Sequence, residues 1–204
     1  MAFNLDSIQP DWPNATRWLL SDVQMKAGSA LCLYGDNGVG KSTFLNCMMG
    51  FLPSKGAPAW ITLPSGDDDS LLGVLYINSE ACYSEGMAIS DVLTRYYMMY
   101  TGRVLDSDSL HALLVGYQLD PYSSFHLLST GQKKWCLILL LTCHEVSLWV
   151  LDEPFVSLDA SKRSELLGLM CGHVDKGGMV VFTAHEKFVC KRFALMNRLL
   201  QRAK

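Results

Sequence analysis

The stretch GDNGVGKST, residues 35–43, constrains the fold more than any other part of the chain. It lies between an apolar run, LCLY, and a second apolar run, FLNCMM. Gly35, Gly40, Lys41 and Ser42 fit G-x-x-x-x-G-K-[ST]. The spacing has a mechanical reason. Glycines permit backbone turns that aim successive N–H groups inward, as a nest for phosphate oxygens. Gly35, Asp36, Asn37, Gly38, Val39 and Gly40 form that candidate cradle. The following helix adds its positive N-terminal end, worth ~0.3–1 kcal/mol to an anion at an exposed site. Lys41 is placed to reach β and γ phosphates, Ser42 to bind Mg²⁺ through its hydroxyl, and Thr43 to donate to the α phosphate. A chance glycine-rich turn lacks the strand before and the helix after. The motif therefore indicates a nucleoside triphosphate, and says little about what its energy drives.

Composition narrows the partners. The chain has 204 residues, half of them apolar, and a net charge of −3. That suits one globular core and gives no broad basic field for nucleic acid. Seven cysteines are present with no Cys-x-x-Cys pair, which fits a reducing compartment better than a disulfide framework. The N-terminus lacks the pattern of a signal peptide. The greasiest run, Trp135 to Leu151, is broken by His144 and Glu145 well short of ~20 apolar residues. It reads as a buried helix followed by a buried strand.

Strands are expected at Ala2–Ile8, Arg17–Met25, Ala30–Tyr34, Ala59–Leu63 and Leu71–Ile77, with a helix from Lys41 to about Met49. GDDDS at Gly66–Ser70 reads as a solvated turn, because adjacent aspartates do not converge on one ion. From about Met87 to Gln118 apolar residues recur at helical spacing, with Ser or Asp as candidate caps. A helix (Thr130–His144), a strand (Ser147–Leu151), a helix (Ala160–Val174), a strand (Met179–Thr183) and a short C-terminal helix and strand complete the chain. The fold class is α/β: a mainly parallel sheet flanked by helices, with a small antiparallel β portion and a helical insert. One domain spans 1–204. Its core takes 1–80 and 136–204, and its helical part takes 81–135. Ligands of such sheets sit at the C-terminal ends of the strands.

SLWVLDEP, residues 147–154, is an apolar strand ending in two acids. Asp152 can hold Mg²⁺ from the side opposite Ser42. Glu153 can orient and deprotonate an attacking water, assistance worth ~10²–10⁴ in rate. MVVFTA delivers His185 to the same sheet edge, where it can contact a γ phosphate. The remaining motif is LSTGQ, residues 128–132. It opens a helix with Ser129, Thr130 and Gly131, a second surface suited to phosphate.

GDNGVGKST, LSTGQ, LWVLDEP, SLD and His185, in this order, resemble the ATP-binding subunit of an ABC transporter across nearly the whole chain. The resemblance implies two cassettes paired head to tail, as a homodimer or with a second cassette. Each ATP is then held by the phosphate loop of one subunit and the signature segment of the other. It assigns Ser129, Gly131 and Gln132 to the partner's ATP and Asp159 to communication between the sites. It also implies an aromatic residue stacked on adenine, at Trp12 with Trp18 as the alternative. The family places a glutamine at the metal after the strand matched by Leu71–Ile77. Here Glu80 falls at that position, which adds negative charge beside the γ phosphate.

LDEPFVSLDA followed by GGMVVFTAHE, with the compact size, most resembles the ATPase subunits of cytochrome c maturation systems, the haem exporters. That resemblance implies a peripheral protein on the cytoplasmic face of the inner (cell) membrane. An integral membrane subunit would dock on the helical insert, with RYYMMY (Arg95–Tyr100) as the candidate contact. The alternatives are a soluble ABC ATPase and a non-hydrolysing ATP-dependent regulatory module. Lack of a long coiled coil and of a basic patch argues against the first. Glu80 favours the second. Small-molecule kinases share the phosphate loop, but LSTGQ has no role in them.

Overall fold

The computed structural model describes residues 2–15, 17–20, 23–56, 73–78, 84–143, 146–190 and 195–202. The expected strand Ala59–Leu63, the acidic turn at 66–70, and Glu80 lie outside them. The elements in chain order are β1 (Ala2–Asn4), β2 (Gln9–Pro10), β3 (Trp18–Leu19), β4 (Gln24–Lys26), β5 (Ser29–Tyr34) and α1 (Lys41–Met48). Then come β6 (Ser54–Lys55), β7 (Val74–Ile77), α2 (Ile89–Thr101), α3 (Ser107–Gly116) and α4 (Thr130–Leu139). The chain closes with β8 (Leu148–Leu151), α5 (Ala160–Asp175), β9 (Met179–Ala184), β10 (Leu195–Leu199) and β11 (Gln201–Arg202).

Four strands of the main sheet carry near-continuous apolar runs, SALCLY, VLYI, LWVL and MVVFTA, and are buried almost throughout. Runs without polar alternation need cover on both faces, which a parallel sheet between helices supplies. The sheet has five strands in the order β10-β5-β9-β8-β7, each pair parallel. Three short antiparallel pairs, β1–β4, β2–β6 and β3–β11, form the small β portion. The expected early strands thus appear as short pieces. The segment between β9 and β10 holds no helix among the described residues, and the expected C-terminal strand appears as β10.

Register brings the motifs together. Tyr34 lies opposite Ala184, and Leu151 lies opposite Phe182. Because β9 separates β5 from β8, the residues after these strands emerge side by side. They are the 35–43 loop, His185, and Asp152–Glu153. Neighbouring strands are ~4.8 Å apart, so all three come within reach of one small ligand.

The helical insert is tied to this sheet through Tyr96. Its hydroxyl donates to the Tyr76 carbonyl at 2.9 Å and accepts from the Asn78 N–H at 3.0 Å. Ser90 is not a helix cap. Ala88 precedes α2 without capping it by a side chain. The Ile89 and Ser90 N–H groups donate instead to the carbonyls of Ser123 and Pro121, and the Ser90 hydroxyl donates to Pro121 as well. Asp106 does cap α3, accepting from the Ser109 N–H. In RYYMMY the side chains divide by helical face: Tyr96, Tyr97 and Tyr100 are buried, whereas Met98 and Met99 are about half exposed. No helix among the described residues is long and apolar enough to cross a membrane.

Candidate functional site

The 35–43 loop folds as its glycines require. Gly40 has φ 104° and precedes α1 with no side-chain cap, so the first N–H groups of that helix lack a side-chain acceptor. A Cβ at Gly40 would also come within 2.8 Å of the Trp18 indole nitrogen. That indole N–H donates to the Val39 carbonyl at 3.3 Å, and the ring packs edge-on against Phe44. Trp18 is therefore a buried buttress beneath the loop, only 5% exposed. Trp12 is partly exposed on the segment between β2 and β3.

Lys41 is buried, and its ammonium donates to the carbonyls of Gly35 at 2.8 Å and Asp36 at 3.2 Å. It also lies 3.8 Å from the Glu153 carboxylate. On the opposite oxygen, Glu153 stands 3.4 Å from His185 Nε2. Ser42 is exposed and Thr43 half-buried at the head of α1. The structure thus brings Lys41, Glu153 and His185 into one cluster at the sheet edge.

Two polar side chains that sequence reasoning missed hold this cluster in place. Glu153 has φ 46°, a left-handed conformation that costs a non-glycine residue of order 1–3 kcal/mol. Its N–H donates to the Thr183 hydroxyl at 2.7 Å, and its carbonyl accepts from the Lys134 ammonium at 2.7 Å. The same Thr183 hydroxyl donates to Asp152 Oδ1 at 2.6 Å. Thr183 and Asp152 are buried on adjacent strand ends. Burial pulls the Lys134 ammonium below its usual pKa, while the Glu153 and Asp152 carboxylates oppose that shift. Thr183 was legible only as the residue that pairs with the strand-end acid once β8 and β9 are neighbours. Lys134 had a faint signal, being a lysine that enters an apolar run.

Ser129 caps α4 as expected of a helix start. Its hydroxyl accepts from the Gln132 N–H, and the Gln132 side chain accepts from the Ser129 N–H. Ser129, Thr130 and Gln132 are exposed at this tip. Gly131 is needed for packing, because a Cβ there would meet the Ser157 carbonyl at 2.5 Å. Asp159 caps α5 through the Lys162 N–H at 2.9 Å and keeps an exposed side chain. Glu80 lies outside the described residues. Burial raises the thiols of Cys32 and Cys136 to about 12, and those of Cys47 and Cys143 to about 11.

A parallel sheet that gathers a glycine loop, a strand-end acid pair and a histidine at one edge, with a helical insert alongside, defines a phosphate-loop cassette. The chain belongs to the ABC transporter family, whose model matches residues 21–156. It is similar to the cytochrome c biogenesis ATP-binding export protein CcmA of Mesorhizobium japonicum, at 35% identity over 78% of this chain and 79% of that one. The CcmA protein of Dechloromonas aromatica is 30% identical over 81% and 83%. Among solved structures, a putative ABC transporter ATP-binding protein from Pyrococcus furiosus shares the fold, with TM-score 0.67 and 18% identity, covering 94% of each chain. An ATP-binding cassette solved as a dimer in a post-hydrolysis state with ADP and Pi has TM-score 0.63 at 16% identity, covering 87% of this chain and 85% of that one.

Replacing Thr183 by Val keeps the shape and removes the hydroxyl that serves both acids. The Glu153 N–H then lacks its partner, and a loss of about 1–3 kcal/mol is expected in urea denaturation. A loss below about 0.5 kcal/mol, no larger than that of an ordinary surface change, would contradict this account of the strand ends.

Proposed function

We propose that this chain is the ATP-binding, ATP-hydrolysing subunit of an ABC transporter complex, serving haem export or c-type cytochrome biogenesis. The observation that carries the ATPase reading is the cluster of Lys41, Glu153 and His185 beside a helix with no side-chain cap. The CcmA relatives support the narrower role. The triphosphate seats on the 35–43 loop, whose N–H groups and Lys41 neutralise its charge. Phosphate oxygens compete with the Gly35 and Asp36 carbonyls for the Lys41 ammonium. Glu153 accepts a proton from water as the water oxygen bonds to the γ phosphorus. The bond to the β–γ bridging oxygen breaks, ADP leaves with that oxygen, and inorganic phosphate is the second product. His185 donates to the γ phosphate.

Ser42 and Asp152 supply hard oxygen donors of the kind Mg²⁺ takes. Asp152 is buried with Oδ1 fixed by Thr183, which suits a preset carboxylate. Bound there, Mg²⁺ would neutralise charge developing on the phosphates. Glu80 is assigned to the same metal by resemblance alone.

The exposed tip at Ser129, Gly131 and Gln132 is suited to ATP held by a second cassette, with Asp159 beside the same seam. Residues 81–135 act as the helical unit on a core of 1–80 and 136–204. Its exposed Met98 and Met99 support an adaptable contact with an integral membrane subunit, and the reading is of a peripheral chain on the cytoplasmic face of that membrane. Trp18 does not offer a free face to adenine, which leaves Trp12 as the candidate stacking residue.

Glu153→Gln should still bind ATP and accumulate as an ATP-bound pair of cassettes, seen by size-exclusion chromatography with multi-angle scattering. Hydrolysis at the unmodified rate would reject Glu153 as the base. Lys41→Ala should lower ATP affinity by at least 100-fold by calorimetry, and undiminished affinity would reject the phosphate-loop assignment.

A further inference from the structure

The face of α4 that follows the Ser129 tip makes two contacts with the loop carrying Glu153. Gly131 packs against the Ser157 carbonyl with no room for a Cβ, and Lys134 donates to the Glu153 carbonyl at 2.7 Å. Positions three apart share one helix face, so both contacts come from the same side of α4. Glu153 and Ser157 are also two of the four non-glycine residues with positive φ among the described residues. Such conformations persist only where the surroundings over-determine them. The Glu153 N–H is held by Thr183, which belongs to the rigid sheet. Its carbonyl is held by Lys134, which belongs to the helix whose first turn is the signature tip.

We infer that Lys134 is a positioning residue that sets the Glu153 peptide, and with it the direction of the Glu153 carboxylate, from the position of α4. The inference rests on the ATPase reading above and adds a connection inside one chain. A phosphate group bound at the Ser129 tip of α4 fixes that helix. Lys134 passes the helix position to the base that serves the chain's own phosphate loop. Lys134 is 7% exposed, and its observed hydrogen bond goes to the Glu153 carbonyl, with the Asp152 and Glu153 carboxylates acting on its charge.

The test is ATP turnover by the full chain carrying Lys134→Met, which keeps the length and loses the donor, beside Lys134→Arg, which keeps charge and donor. The methionine variant should lose tenfold or more in kcat with KM for ATP within twofold. The arginine variant should retain a third or more of kcat. A fall of less than tenfold in the methionine variant overturns the role, as does a parallel loss of affinity or equal inactivity of the arginine variant. Should methionine prevent folding, Lys134→Gln is read for the same split with the same thresholds. An unsubstituted chain that releases no phosphate from ATP would defeat the ATPase reading itself. A hydrolysing parent indifferent to Lys134→Met defeats only the positioning role.

Discussion

The peptide of Glu153 is the constraint on which the site depends. A glutamate is held in left-handed backbone geometry at the end of a buried strand, a conformation that its own chemistry disfavours. Two hydrogen bonds of 2.7 Å hold it there, one to a sheet hydroxyl and one to a helix ammonium. The turn that results throws the carboxylate back toward Lys41 and His185 instead of onward along the strand. Without it, Asp152 and Glu153 would be two acids on opposite faces of an extended chain.

Sheet order does the rest. Placing β9 between β5 and β8 makes Thr183 a neighbour of Asp152 and sets His185 between the phosphate loop and the acid pair. The phosphate loop, the acid pair and the Thr183–His185 end of β9 belong to three chain segments far apart in sequence. Parallel register converts that sequence distance into spatial contact. Tyr96 then fastens the helical insert to the end of β7 through two hydrogen bonds of its hydroxyl. The insert's apolar side chains divide accordingly, with tyrosines serving the core and methionines left at the surface.

Much of this was legible in the chain itself. The glycine loop, the strand ending in Asp152 and Glu153, and the helix starts at Ser129 and Asp159 are all local patterns, and local chemistry decides them. The central strands were equally plain, because a parallel sheet demands uninterrupted apolar runs. What escaped notice is non-local. Thr183 looks like an ordinary strand residue until β8 lies beside it. Lys134 looks like a solvated charge until α4 docks on the loop after β8. Ser90 has the look of a cap, yet the carbonyls of Ser123 and Pro121 had already satisfied that helix start. Trp18 could have been a ligand platform by position, but the Val39 carbonyl and Phe44 claim it for the core.

The most direct measurement is hydrogen exchange at the Glu153 amide, followed by NMR. A donor bonded to the Thr183 hydroxyl within a closed turn should exchange at least 100-fold more slowly than in an unstructured peptide. Exchange at the unstructured rate in the folded protein would mean that the Glu153 peptide is not clamped, and the account of how this site is built would fail.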